Sequence, residues 1–231
     1  MRMPIGSTGR PAATRQVLAD HVYDELMVAL VDGRLGAGEP LNIDALSRDM
    51  QLSQTPIREA LARLESTGLV VREALKGYRV APLFSATELD ELMDARAVLE
   101  PENAFRACAT SAADLIPQLE RSIHDLAEFK DNQSSSIRPY WQADERFHRL
   151  IAEGANNRFL LSAYTALGGH VQRFRLFGGL GVSDADFAIA EHTEILAAFQ
   201  AGEADLARDK MADHIASVKH RAISDEAHLH A

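Results

Sequence analysis

The sequence predicts a mainly α-helical chain in two parts: a head of short helices closed by a small β-hairpin, then an all-α antiparallel helical bundle. Three observations carry this. Apolar residues recur at three- and four-residue steps through most of the 231 residues. Only two short β-favouring runs occur, Leu69–Arg72 and Gly77–Val80, with Lys76 in the turn between them. Glycine, proline and Ser/Thr/Asn clusters punctuate the helical stretches. The length accommodates two cores, since domains commonly hold about 100–150 residues.

In order along the chain, residues 1–13 hold Pro4, Gly6, Ser7, Gly9 and Pro11 without apolar periodicity and read as a mobile arm. Val17, Leu18, Val22, Leu26 and Leu30 then mark an amphipathic helix, stopped by the glycine-rich run from Gly33 to Pro40. A short helix is expected over about 44–50, with Gln51-Leu52 as a tight turn and a second helix from Gln54 to Ser66. Ser53 is placed to cap that helix, Pro56 is tolerated in its first turn, and Gly68 stops it. The head, with the hairpin, spans 14–82. After Pro82 six helices are expected, at about 86–109, 111–131, 137–153, 157–177, 184–201 and 203–224, which make a second domain over 86–226.

Hydrophobic residues make up 46% and charged residues 25%, ordinary for a globular protein and unlike a disordered chain. No apolar run approaches the roughly 20 residues that span a bilayer, and the start lacks the apolar middle of a signal peptide, so no membrane contact and a cytoplasmic location are expected. Cys108 is the one cysteine, which excludes an internal disulfide and is expected to pack as a small apolar side chain. The net charge of −10 is unevenly placed: residues 1–84 hold 10 Lys+Arg and 10 Asp+Glu, whereas residues 85–231 hold 14 and 24. A neutral head on an acidic body fits a small DNA-contacting surface joined to a part that does not touch DNA.

Two short helices joined by a turn and followed by a two-stranded wing form a winged helix-turn-helix, whose second helix enters the major groove of double-stranded DNA. On that helix Gln54, Thr55, Arg58 and Arg63 are polar, while Ile57, Leu61 and Leu64 fall on the opposite stripe. Arg58 can give two parallel donors to guanine, and Gln54 can pair with adenine. Thr55, Arg48 and Arg63 suit phosphates, with Ser53 beside them at the helix start. Lys76 and Gly77 place a loop tip where it can enter the minor groove. The same arginines also fit an ordinary solvated face. The stretch Ser53-Gln54-Thr55-Pro56-Ile57-Arg58-Glu59-Ala60-Leu61-Ala62-Arg63-Leu64, within Leu46–Val70, resembles the signature of the GntR family of bacterial regulators. The body resembles the FCD ligand-binding domain of the FadR subfamily, and its six expected helices resemble the shorter, VanR-like branch. The resemblance implies a homodimer on a palindromic operator, acting as a repressor released by a ligand. It also exposes two departures: Gln54 stands where the family usually has arginine, and Asp44 where a basic residue is common. Arg58 matches the family's DNA-contacting arginine.

Nine histidines are present. Asp144 and His148 are four apart and share a helix face, and His192 and His214 lie on the last two helices among apolar neighbours. One carboxylate and three imidazoles can bind a divalent transition ion with a coordination position left open; hydrogen-bonded core histidines fit the same residues. The four match, residue by residue, the D-x-x-x-H … H … H pattern of metal-containing FCD domains, which implies zinc, nickel or manganese. The other six histidines are expected at the surface or in structural roles. The resemblance further implies a small-molecule carboxylate effector filling the open position. Arg96 matches the arginine of the family's first body helix and can hold a carboxylate; its spacing to Glu100 equally gives an ion pair. Arg173 and Arg175 are the other candidates for the effector pocket. Two further readings stand beside this one, an ion that is itself the signal and a metalloenzyme body. Against an enzyme, no His-Glu-x-x-His or nucleophile-elbow motif occurs. Glu145 and Glu191, which adjoin ligands in sequence, are expected to point away from them.

Overall fold

The computed structural model describes residues 12–31, 33–131, 138–177 and 185–229. Most of the expected N-terminal arm therefore lies outside the described residues. The chain divides into two compact units between Ala81 and Pro82.

The first unit runs α1 (Ala12–Val31), β1 (Pro40–Leu41), α2 (Ile43–Asp49), α3 (Gln54–Ser66), β2 (Val70–Glu73) and β3 (Gly77–Val80). Helix α2 starts where Asn42 Oδ1 accepts the Ala45 amide at 2.9 Å, satisfying a first-turn donor that has no partner within the helix. Gln51, at φ 54°, makes the turn into α3, and Gly68, at φ 74°, takes the left-handed conformation that ends it. Ser53 occupies the cap position with extended backbone, but its hydroxyl makes no capping hydrogen bond, contrary to expectation. Helix α3 buries Pro56, Ile57, Ala60, Leu61 and Leu64 along one stripe and packs on α1, where Val22, Leu26 and Leu30 are buried, and on β2, where Val70 is buried. Each buried Leu, Ile or Val stabilises by about 1.5–3 kcal/mol. The wing is three-stranded, not two. β1 joins in the antiparallel order β1-β3-β2, pairing Pro40 with Arg79 and Leu41 with Tyr78.

The second unit contains α4 (Ala86–Asp131), α5 (Arg138–Gly154), α6 (Arg158–Phe177), α7 (Ala185–Ala201) and α8 (Ala204–Leu229). The two helices expected at 86–109 and 111–131 are one helix of 46 residues. Thr110 and Ser111, read as a break, are accommodated instead. Thr110 Oγ1 donates back to Arg106 O at 2.8 Å, and Ser111 Oγ donates across to Gly154 O at 3.0 Å. Helix α4 packs on α5, α7 and α8 around Ala104, Leu119, Phe147, Ile151, Ile195, Phe199, Met211 and Ile215, with Cys108 buried among them. No helix among the described residues is long and apolar enough to cross a membrane.

Candidate functional site

In the first unit the stripe burial of α3 leaves its other face in solvent. Ser53, Gln54, Thr55 and Arg58 are exposed at its first turns, as is Arg48 on α2. Their side chains are not independent. Gln54 Nε2 donates to Asp44 Oδ1 at 2.5 Å, and Arg58 Nη2 donates to Gln54 Oε1 at 3.2 Å. Arg63, expected to meet phosphate, turns to its own α1. Its Nη1 lies 2.5 Å from Asp20 Oδ1 and its guanidinium sits 4.4 Å from the centre of the Tyr23 ring, fastening α1 to α3. At the wing tip Lys76 and Gly77 are exposed, with Lys76 Nζ 3.4 Å from Glu73. Beside them Leu75, which sequence reading passed over, is fully exposed at φ 65°.

In the second unit α5, α7 and α8 bring His148, His192 and His214 together in the core, each no more than 3% exposed, with one ligating nitrogen apiece within 4.8 Å of the others. The sequence periodicity is the reason. The apolar neighbours at i−3, i−1, i+1 or i+3 (Phe147, Ile151, Ile195, Met211, Ile215) lie in the core, so the imidazoles between them also face inward. Phe147 stacks flat on His192, ring centres 4.0 Å apart, which fixes that ring's plane. Asp144, one turn before His148, is buried with Oδ1 3.6 Å from His192 Nε2.

Two carboxylates not identified from the sequence as part of the site stand behind these rings. His214 Nδ1 lies 2.7 Å from Glu191 Oε2, and Arg221 donates to both oxygens of Glu191 at 2.8 and 3.0 Å. Glu191 therefore does not point away, as expected from its place beside His192, but reaches across to α8. Glu145 turns elsewhere, accepting from the Tyr164 hydroxyl at 3.1 Å. His148 Nδ1 lies 2.7 Å from Glu100 Oε2, off the ideal donor line, and Arg96 Nε donates to Glu100 Oε1 at 2.5 Å. A carboxylate against Nδ1 favours the tautomer with its proton there, which turns a bare Nε2 inward. The two Nε2 atoms, of His148 and His214, face one another at 3.3 Å. At that distance the pair either shares one proton as an N–H···N hydrogen bond or, with both Nδ1 atoms protonated, turns two lone pairs toward a common point where a cation can sit.

Burial pushes the His214 pKa down, against the pull of Glu191, so its ring is neutral with a lone pair to give. Burial raises the Glu191 carboxyl, but hydrogen bonds from His214 and Arg221 outweigh it and hold the pKa at about 2. Glu100 is likewise held well below the usual range: burial raises it, and the charges and hydrogen bonds of Arg96 and His148 overcome that.

Of the expected effector residues, Arg96 is 2% exposed and committed to Glu100, with Met93 Sδ 3.8 Å from Nη1. The ion pair is thus the arrangement present. Arg173 and Arg175 fall on α6, but their side chains lie outside the described residues. His124 and His170 are exposed surface histidines, as expected.

Comparison with known proteins bears on both units. Residues 18–80 match the gntR family of bacterial regulatory proteins, and residues 91–217 match the FCD domain. A protein named "Probable D-xylose utilization operon transcriptional repressor", from Paenarthrobacter nicotinovorans, is 29% identical over 88% of each chain. The Escherichia coli transcriptional repressor RspR is 23% identical over 88% of each. A GntR regulator from Rhodococcus sp. RHA1 shares the fold with a TM-score of 0.75 at 18% identity, covering 92% of this chain and 99% of that one. E. coli McbR/YncC does so at 0.69 and 20%, covering 89% and 96%. These relatives and families are transcriptional regulators, not enzymes. The chain belongs to the GntR family of DNA-binding bacterial transcriptional regulators and carries an FCD domain as its second unit.

Proposed function

We propose that the chain is a homodimeric repressor whose affinity for operator DNA is set by a divalent transition ion, zinc, nickel or manganese, and a small carboxylate bound beside it in the FCD domain. The observation that carries the metal is the pair of Nε2 atoms facing at 3.3 Å, each ring backed by a carboxylate at 2.7 Å. That donor set suits an imidazole-preferring ion. His148, His192 and His214 would hold it, with Asp144 the fourth candidate ligand. Glu100 and Glu191 orient two of the rings, a role whose loss typically costs 10–100-fold in metal affinity. The ion would offer an acidic coordination position to a ligand oxygen. Arg96 supplies the nearest buried cation on α4, and a carboxylate reaching it must compete with Glu100.

That competition favours a second reading, in which the ion is itself the signal. Both are tested with labelled operator in gel shifts. Candidate carboxylates are titrated against metal-loaded protein, and the shift is then repeated with a chelator at fixed carboxylate. A shift moved by a carboxylate only when metal is present supports the first reading, and one moved by metal alone supports the second. A shift indifferent to both would overturn the sensor role.

A further inference from the structure

The two departures from the family pattern in the head, Asp44 and Gln54, are hydrogen-bonded to each other at 2.5 Å although they lie on different helices. Gln54 then passes its amide oxygen to Arg58 at 3.2 Å. Both functional groups of the Gln54 amide are occupied: the NH2 by Asp44, the oxygen by Arg58. One N–H and one lone pair of the amide remain, but the two bonds hold its plane between Asp44 and Arg58, so the two-pronged adenine contact expected from the sequence is open only to a base that meets the amide in that orientation. The carboxylate of Asp44, for its part, is exposed, with Oδ1 engaged. An acceptor-only group on this face is attracted by the amine of cytosine and repelled by the oxygen and ring nitrogen of guanine and by the oxygen of thymine. It also opposes phosphate, so it lowers affinity for DNA of arbitrary sequence.

We infer that Asp44, Gln54 and Arg58 act as one unit in which Gln54 is a positioning residue that aims Arg58 at guanine, while Asp44 selects a neighbouring cytosine and suppresses unspecific binding. This rests on the assignment of the first turns of α3 to the base edges. A guanine reader needs its guanidinium held in one plane, and Gln54 Oε1 restrains one of its two terminal nitrogens while the other donors remain for the base. The inverted charge at position 44 is then a specificity device and not a defect of the site.

The test is selection of random duplexes by the full chain, followed by anisotropy on the selected site and its single-base variants. The wild type is expected to select half-sites with a fixed guanine and a fixed cytosine, and no fixed adenine that depends on Gln54. Gln54→Ala should relax the guanine preference by about ten-fold while the cytosine preference survives. Asp44→Ala should relax both and raise affinity for unselected DNA by about five-fold. Asp44→Asn, which keeps an oxygen for Gln54, should retain the guanine preference. A wild-type adenine preference abolished by Gln54→Ala would overturn the inference, as would variants whose selected sites match the wild type's. If the wild type selects no sequence while Arg58→Ala changes nothing, the assignment of α3 itself fails, and the two failures are told apart.

Discussion

His214 has the surroundings that the proposed metal site requires of a ligand. Burial removes the charged form of the ring, Glu191 takes the Nδ1 side at 2.7 Å, and the lone pair left on Nε2 meets that of His148. Glu191→Gln and Glu100→Gln should therefore each weaken zinc binding by about 10–100-fold, measured by competition with a chromophoric chelator. Unchanged affinity would show that these carboxylates only pack. Acid gives a second handle on the same residue. The Glu191 pKa is depressed from 4.5 to about 2, so its contribution to stability is complete above pH 4.5 and is lost as pH falls toward 2. In chelated protein the difference in Tm between wild type and Glu191→Gln should shrink across that window; a constant difference would contradict the assignment. That His148, His192 and His214 converge in the core is legible because histidine interrupts apolar runs whose phase is clear, as at Phe147-His148 and His214-Ile215. Glu191 was not, because adjacency on one helix says nothing of a side chain long enough to cross to the next. Arg63 was misjudged for a similar reason: its partner Asp20 is 43 residues away, and no local pattern joins them.

At the scale of the element, α3 is the part the sequence specified best. Ser53 and Gly68 bracket it and the stripe from Ile57 to Leu64 sets its phase, so the observed bounds are those expected. Leu61→Ala, at a fully buried position, should cost about 2–5 kcal/mol in chemical denaturation; a smaller loss would mean the head core is loose. β1 escaped notice because two residues after a glycine-rich run carry no periodicity of their own, and what fixes them is the edge of β3. The long α4 was read as two helices because Thr110-Ser111 resembles a boundary. The Ser111 hydroxyl is taken up instead by α5, through its C-terminal carbonyl at Gly154, while Thr110 donates within its own helix. Gly154 is also needed for closeness, since a Cβ there would come 2.4 Å from Leu115 Cδ1, with the other two branch atoms of that core leucine at 3.2 and 3.3 Å. Gly154→Ala, normally favoured in a helix, should instead destabilise by about 1–3 kcal/mol, read from the denaturant midpoint. At the wing tip the opposite holds: Leu75 is in the left-handed region and packs on nothing, so Leu75→Asn should raise Tm. A lower Tm would show that Leu75 makes a contact in solution.

For the whole molecule, the balance of charge fits the proposed division of labour, in which a head without net charge would read DNA through a few placed groups and an acidic body would stay off it. With Arg63 tied to Asp20 and Asp44 adding a negative charge to the reading face, few phosphates are neutralised, so operator affinity should fall only shallowly with salt. Whatever ligand weakens or strengthens operator binding must itself be bound less or more tightly on the operator, because the coupling is reciprocal. The family relationship and the two-unit fold were within reach of the sequence. The proposed effector's identity was not, because the candidate anchor Arg96 is paired with Glu100. The most direct test of the account is an anisotropy titration of operator with chelated full-length protein as zinc is added back. Operator affinity, or its response to carboxylate, is predicted to change and to saturate at about one ion per chain, and the variant carrying both His148→Ala and His214→Ala is predicted to show no such change. Superimposable curves for the two proteins, with and without zinc, would contradict it.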